Sequence, residues 1–325
     1  MSDTNRPLTN STAGVQLQGL LGIVLLSVVT TLPCCAFLLI NGTMLFTLRS
    51  KPVFTETSRY VLLSNLLLAD TVQLAHNQSM FLLSACGLKM LYPLCATLSA
   101  LYSLPHGVSF LTLMLMCIER YVAVCHPLRH AAVITLRNTS VAVCVLWGFG
   151  SVNCLIQLVL MLNMHFADVQ SMQMSDYCGR SSVFLNESAD LYDKASTYFL
   201  FASAAAAVSF CYIGISVAAR SASSDRGSAK KAGRTLLLHL LQLGLSMSSL
   251  IHGTLLIAVT PHLERVLAIN IQVFLYICLI ILPKCLSSLV YGLRDQTIRP
   301  VLMLHLCCRH RRFSVISVIQ TNPKM

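Results

Sequence analysis

The sequence predicts an all-α bundle of seven membrane-crossing helices, and three observations lead to it. Of 325 residues, 55% are apolar and only 11% charged, against about 25% charged in an ordinary soluble domain. The apolar residues gather into seven runs, each longer than the roughly 20 residues a helix needs to cross a hydrocarbon layer of about 30 Å. In lipid only helices and closed barrels satisfy every backbone polar group, and the alternation over about ten residues that marks barrel strands is missing.

The first run, Gly19–Leu48, is too long for a signal-peptide core and no basic cluster precedes it, so it reads as an uncleaved anchor. Tyr60–Leu88 follows and carries an acid, Asp70, near its middle. Met90–Ile118 ends at a charged pair, Glu119-Arg120. Asn138–Met164, Ala195–Ala219 and Thr235–Thr260 are the fourth to sixth runs, and Val266–Leu293 is the seventh, with Lys284 inside it. The organisation expected is an N-terminal segment 1–18, a membrane domain 19–293 and a tail 294–325. In the tail Asp295–Leu306 can form a short amphipathic helix, and Cys307 and Cys308 beyond it, among basic residues, suit palmitoylation.

Basic residues set the orientation, because cytoplasmic connections are enriched in Lys and Arg. Of the 23 Lys and Arg residues, 17 fall on the set of connections that includes Arg49, Arg129, Lys230, Lys231 and the tail. The opposite set holds only Arg6, Lys89, Arg180, Lys194 and Arg265. The N-terminus is therefore expected outside and the C-terminus inside. The net charge of +11 then belongs to topology and anionic lipid, and no nucleic-acid partner is needed. Of the Asn-x-Ser/Thr tripeptides, those at Asn10 and Asn186 fall on outer segments and can carry glycans, whereas those at Asn41, Asn77 and Asn138 cannot.

Most of the 14 cysteines lie within apolar runs and read as small buried apolar residues. No Cys or His cluster has metal-ligand spacing, no Gly-rich phosphate loop follows a strand-like run, and no acid, base and nucleophile assemble. An enzyme, a resident metal and a catalytic residue are not expected.

The stretch Met116-Cys117-Ile118-Glu119-Arg120-Tyr121-Val122-Ala123-Val124-Cys125-His126-Pro127-Leu128-Arg129 is the most informative in the chain. By position alone it is flanking charge at a membrane interface. It closely resembles the Asp-Arg-Tyr-Val-Ala-Ile-Cys-His-Pro-Leu signature of odorant receptors, a branch of the rhodopsin-like G-protein-coupled receptors, with Glu119 in place of Asp. The resemblance implies that Glu119 restrains Arg120 at rest and that Arg120, once released, lines the crevice receiving a heterotrimeric G protein. Lys230-Lys231-Ala232-Gly233-Arg234-Thr235-Leu236-Leu237-Leu238-His239-Leu240 resembles the family's entry to the sixth helix, and Trp147 its fourth-helix tryptophan. Pro283-Lys284-Cys285-Leu286-Ser287-Ser288-Leu289-Val290-Tyr291-Gly292-Leu293-Arg294 resembles its seventh-helix ending, with Ser287-Ser288 replacing Asn-Pro. Tyr212 matches a tyrosine that meets Arg120 after activation, and Tyr291 belongs to the same switch. The details are closest to fish-type odorant receptors.

A charge such as Asp70 within a membrane segment is costly unless partnered, which marks it as functional. In the family this aspartate binds sodium or water, and Asn41, Ser109 and Ser287 occupy matching positions here, so a sodium ion at Asp70 is the one cofactor the resemblance implies. Lys284 invites an opsin reading, but the opsin lysine would fall at Ile281, ten residues before Tyr291. A buried lysine still requires a partner, and Asp70, a serine or a carbonyl would each serve. Cys95 and Cys178 match the disulfide that ties the third helix to the following outer loop.

The ligand space is expected between the helices in their outer half, reached by Tyr102, Ser103 and His106, by Ser196 and Thr197, and by Leu250, Ile251 and Thr254. His106 serves equally as a hydrogen-bonded core residue. An apolar pocket with few charges suits a small neutral organic molecule, an odorant. The expected whole is a multi-pass plasma-membrane receptor of olfactory sensory neurons that activates a stimulatory G protein. A rhodopsin-like receptor for an internal small molecule or peptide would need the same parts. A transporter or channel would show related halves with broken helices, and no repeat is present.

Overall fold

The structure is a computed structural model, and it describes residues 9–163, 178, 187–221, 265–285 and 297–308, with single positions at 237, 244, 245, 248, 252, 255, 259 and 292. Five long helices cover the first five apolar runs: α1 (Thr9–Arg49), α2 (Ser58–Ala85), α3 (Tyr92–Cys125), α4 (Leu136–Leu162) and α5 (Glu187–Ser221). In the seventh run α6 (Arg265–Tyr276) passes into a π-helical turn, Ile277–Ile281, and α7 (Ile298–Cys308) follows in the tail. Two short helices, Pro52–Thr55 and Pro127–Val133, bridge α1 to α2 and α3 to α4. No β-strand occurs among the described residues. The sixth run lies outside them apart from isolated helical positions.

Local chemistry sets several boundaries. Thr135 caps α4 by accepting a hydrogen bond from the Asn138 N–H at 3.2 Å, which satisfies one of the donors a helix start leaves without a partner. Past α2 the chain turns at Gly87, whose φ of 69° is the left-handed conformation that glycine adopts without penalty. The Leu88 N–H there returns to the Leu83 carbonyl at 3.3 Å, closing the helix end.

Four helices among the described residues are long and apolar enough to cross a membrane: Gly22–Arg49 within α1, then α3, α4 and α5. The length of α2 would also suffice, but Asn65, Asp70, Gln73, His76, Asn77 and Gln78 interrupt it. The outer faces carry the same message. Leu25, Leu32, Leu39 and Phe46 recur every seven residues along α1 with exposures from 63% to 67%. Val145, Val152 and Val159 recur at the same spacing on α4, with exposures from 56% to 62%. Such stripes would be a liability in water and are what a lipid-facing surface requires.

Inside, α3 packs against α2, α4 and α5, and α1 packs against α2 and α7. The largest buried cluster joins Met44 and Leu48 of α1, Leu63, Leu66 and Leu67 of α2, Leu113 and Met116 of α3, Val208 and Cys211 of α5, and Ile298 and Leu302 of α7. A second cluster surrounds the other end of α3, with Tyr92, Cys95, Met161 and Cys178.

Candidate functional site

Midway along α2 the carboxylate of Asp70 lies within the bundle, 2% exposed. Ser109 of α3 donates its hydroxyl to Asp70 Oδ1 at 2.6 Å. Lys284, also 2% exposed, places Nζ 2.9 Å from Asp70 Oδ1 and 3.3 Å from Ser109 Oγ. Three apolar runs thus meet in one buried ionic group whose charges cancel, as a low-dielectric interior requires. Of the partners open to Lys284 in the sequence, the acid and a serine both engage it. Asn41 is buried on α1, and Ser287 lies outside the described residues.

The backbone explains how Lys284 reaches α2. Pro283 lacks an N–H and its ring crowds the carbonyl four residues earlier. The helix widens just before it, over Ile277–Ile281, where the Leu282 N–H bonds to the Ile277 carbonyl five residues back. A π turn shifts the register of the residues beyond it, and such turns are frequent at functional sites. This arrangement also tests the sodium expectation. Asp70 Oδ1 and Ser109 Oγ, oxygens that a cation would use, already face an ammonium, and a second positive charge beside it would be repelled across a low dielectric. These residues do not fit a resident sodium ion.

At the C-terminal end of α3, Arg120 donates from Nε to Glu119 Oε2 at 2.8 Å. Glu119 is buried and Arg120 only partly so. The His130 ring, on the short helix Pro127–Val133, approaches Glu119 Oε1 at 3.6 Å. The two neighbouring charges are thus in direct contact. Tyr121 turns toward α5, where its ring lies 5.3 Å from that of Phe210 and covers Gly214 so closely that a Cβ there would run into it. Tyr212 is 45% exposed on the outer face of α5, and Tyr291 lies outside the described residues.

Between these two sites Asn65 of α2 joins three helices. It accepts a hydrogen bond from Trp147 Nε1 at 2.8 Å and donates to Thr112 Oγ1 at 2.8 Å. Sequence reasoning singled out Trp147 and missed Asn65 and Gln73. Both carry the signal that marked Asp70, a polar group inside an apolar run that needs a partner.

At the other end Cys95 and Cys178 form the expected disulfide, Cα to Cα 5.6 Å. A cavity of about 300 Å³ lies between α3, α4 and α5, lined by Ser103, Gly107, Leu111, Phe149, Gly150, Asn153, Tyr192, Ala195, Ser196, Phe199 and Leu200. Ser103 and Ser196 of the expected ligand residues line it. Tyr102 and His106 face the opposite side of α3, where Gln73 Nε2 reaches the Tyr102 hydroxyl at 3.3 Å and His106 Nδ1 at 2.9 Å. Thr197, one step along from Ser196, is half-buried outside the lining. Leu250, Ile251 and Thr254 lie outside the described residues. Asn10 falls within α1, Asn186 lies outside the described residues, and Cys307 and Cys308 close α7. Among the described residues no group of His, Cys, Asp and Glu could hold a metal ion.

Comparison with known proteins matches residues 40–291 to the family described as 7 transmembrane receptor (rhodopsin family). Odorant receptor 131-2 of Danio rerio is 33% identical over 272 residues, covering 83% of this chain and 82% of that protein. Olfactory receptor 2A12 of Homo sapiens is 28% identical over 199 residues, 59% of this chain and 61% of its own length. Olfactory receptor 2A7 of Mus musculus shares 31% over 113 residues, 34% of this chain and 36% of its own.

Proposed function

The chain belongs to the rhodopsin family of seven-transmembrane receptors, and from that membership we propose that it detects a small neutral organic ligand, an odorant, and signals through a stimulatory heterotrimeric G protein. It is a membrane receptor and not an enzyme. The observation that carries the proposal is the Glu119–Arg120 pair at the end of α3, set in a chain whose relatives are odorant and olfactory receptors. A salt bridge to an adjacent acid holds the guanidinium away from a docking partner, and its release is a local charge event with a global readout.

The ligand is assigned to the cavity between α3, α4 and α5. Phe149, Phe199, Leu111 and Leu200 give it apolar walls, and Ser103, Asn153, Tyr192 and Ser196 give it a few polar groups without a charge. Tyr192 already donates to Asn153 Oδ1 at 2.8 Å, so the polar side of the cavity is held in place before a ligand arrives. About 300 Å³ is at the small end of ligand pockets and suits a volatile-sized molecule. The N-terminus is read as extracellular and the basic connections as cytoplasmic, which places Arg120 on the G-protein side. The cell assigned is the olfactory sensory neuron, from the names of the relatives.

The test expresses the chain with an olfactory-type stimulatory G protein and records cyclic AMP across an odorant panel. Arg120→Ala is the control, with surface protein measured in parallel. A dose-dependent rise that Arg120→Ala abolishes at equal surface level supports the reading. A rise that survives Arg120→Ala would remove Arg120 from the mechanism.

A further inference from the structure

We propose that Lys284 is a tethered counter-ion that stands in for a mobile cation at Asp70, so that the receptor's folded state is indifferent to sodium. Three observations converge on it. The carboxylate and the ammonium are both 2% exposed, and the ammonium contacts the two oxygens, Asp70 Oδ1 at 2.9 Å and Ser109 Oγ at 3.3 Å, that would otherwise face an ion. Ser109 donates its own proton to Asp70 at 2.6 Å, so its lone pairs are turned toward Nζ. The widened turn Ile277–Ile281 and Pro283 lie immediately before Lys284, and the register change they impose delivers its side chain to α2.

The consequence is both chemical and mechanical. A free ion can leave the bundle and be replaced from solution, so a site of that kind couples stability to ion concentration by mass action. An ammonium on the chain cannot leave. Its attraction to Asp70 is present at every salt composition and holds the seventh run against α2 and α3. Screening by added salt acts weakly on a pair this deeply buried.

Thermal unfolding of the purified full chain in lipid nanodiscs tests this without any ligand. Unfolding midpoints are compared in sodium chloride and in N-methyl-D-glucamine chloride at equal ionic strength. For the wild type no difference between the two salts is expected. Lys284→Ser, which removes the ammonium and leaves Asp70, is expected to gain an upward, saturable shift with sodium that Asp70→Asn/Lys284→Ser lacks. A saturable sodium shift in the wild type overturns the proposal, as does a Lys284→Ser protein as indifferent to sodium as the parent. Should Lys284→Ser fail to fold, Asp70→Asn/Lys284→Met decides: as a neutral pair it is expected to unfold above either single variant. A double variant no better than the worse single also overturns the assignment.

Discussion

At the scale of single residues, the interior is organised by polar groups that the lipid environment forces into partnership. Asn65 satisfies the indole of Trp147 and the hydroxyl of Thr112 at once, so Asn65→Leu removes two interhelical bonds and leaves the indole donor without its acceptor. Individual bonds of this kind between membrane helices contribute about 0.6 kcal/mol on average, and an orphaned donor adds about 1–3 kcal/mol. The expected outcome is a loss of about 1–3 kcal/mol in the unfolding free energy of the purified receptor, smaller when Trp147 is already Phe. Glu119→Gln weakens the restraint on Arg120 and is expected to raise ligand-free cyclic AMP several-fold at equal surface level; unchanged basal signalling would mean that Glu119 does not hold the resting state. The sequence made the chemistry of Asp70, Glu119, Arg120 and Trp147 legible, since charge in an apolar run and a signature string are visible without coordinates. It left open which group Lys284 meets, because partners on α2 and α3 are brought together only by packing. It also indicated the depth of Tyr102 and His106 along α3 but not their direction, and they face Gln73 while Ser103, their neighbour, faces the cavity.

At the scale of elements, the helices outrun the apolar segments that announce them. The first run begins at Gly19 by composition, yet α1 is already helical at Thr9; the fifth begins at Ala195, yet α5 is already helical at Glu187. Composition reports where lipid contact begins, whereas a helix continues as long as its backbone bonds are favourable. At the start of α5 the added turns are held by polar chemistry: Glu187 and Asp190 lie in the first turn, where the helix dipole favours acids, and Lys194 Nζ pairs with Asp190 Oδ2 at 2.6 Å, four residues apart. The π turn at Ile277–Ile281 could be foreseen only as a disturbance near Pro283, not as a widened turn. Contact between elements also depends on what is small. Gly214 lets α5 approach the Tyr121 ring, and nothing in the sequence around it distinguishes it from a tolerated helix glycine. Gly214→Val is expected to displace that ring and cost about 1–3 kcal/mol by overpacking, read as a lower unfolding midpoint, while Gly42→Ala, which meets open space, is expected to leave the midpoint within error or raise it slightly.

At the scale of the whole molecule, the seven runs were legible because a bilayer imposes one length and one solvent on every crossing segment, a constraint that acts on composition directly, and the family was legible from the string that runs from Glu119 to Leu128. Orientation rests on a different signal, the lopsided distribution of Lys and Arg, and it controls every functional assignment, since an inverted chain would present Arg120 to the outside. Asn10 offers an independent reading of it. Its backbone lies in α1, nine residues before the first apolar run begins at Gly19, so it stands about 14 Å of helix before that run at 1.5 Å per residue. Glycan addition occurs on the same side as the extracellular face. An N-terminally tagged chain is therefore expected to be stained in intact cells and to migrate faster after glycosidase treatment, and Asn10→Gln is expected to remove all or most of that mobility change without reducing staining. Because Asn186 lies on the loop assigned to the same face, any remainder should vanish in Asn10→Gln/Asn186→Gln. A tag reached only after permeabilisation, with no glycosidase-sensitive shift, would reverse the topology and move the Glu119–Arg120 pair to the wrong side of the membrane for a G protein.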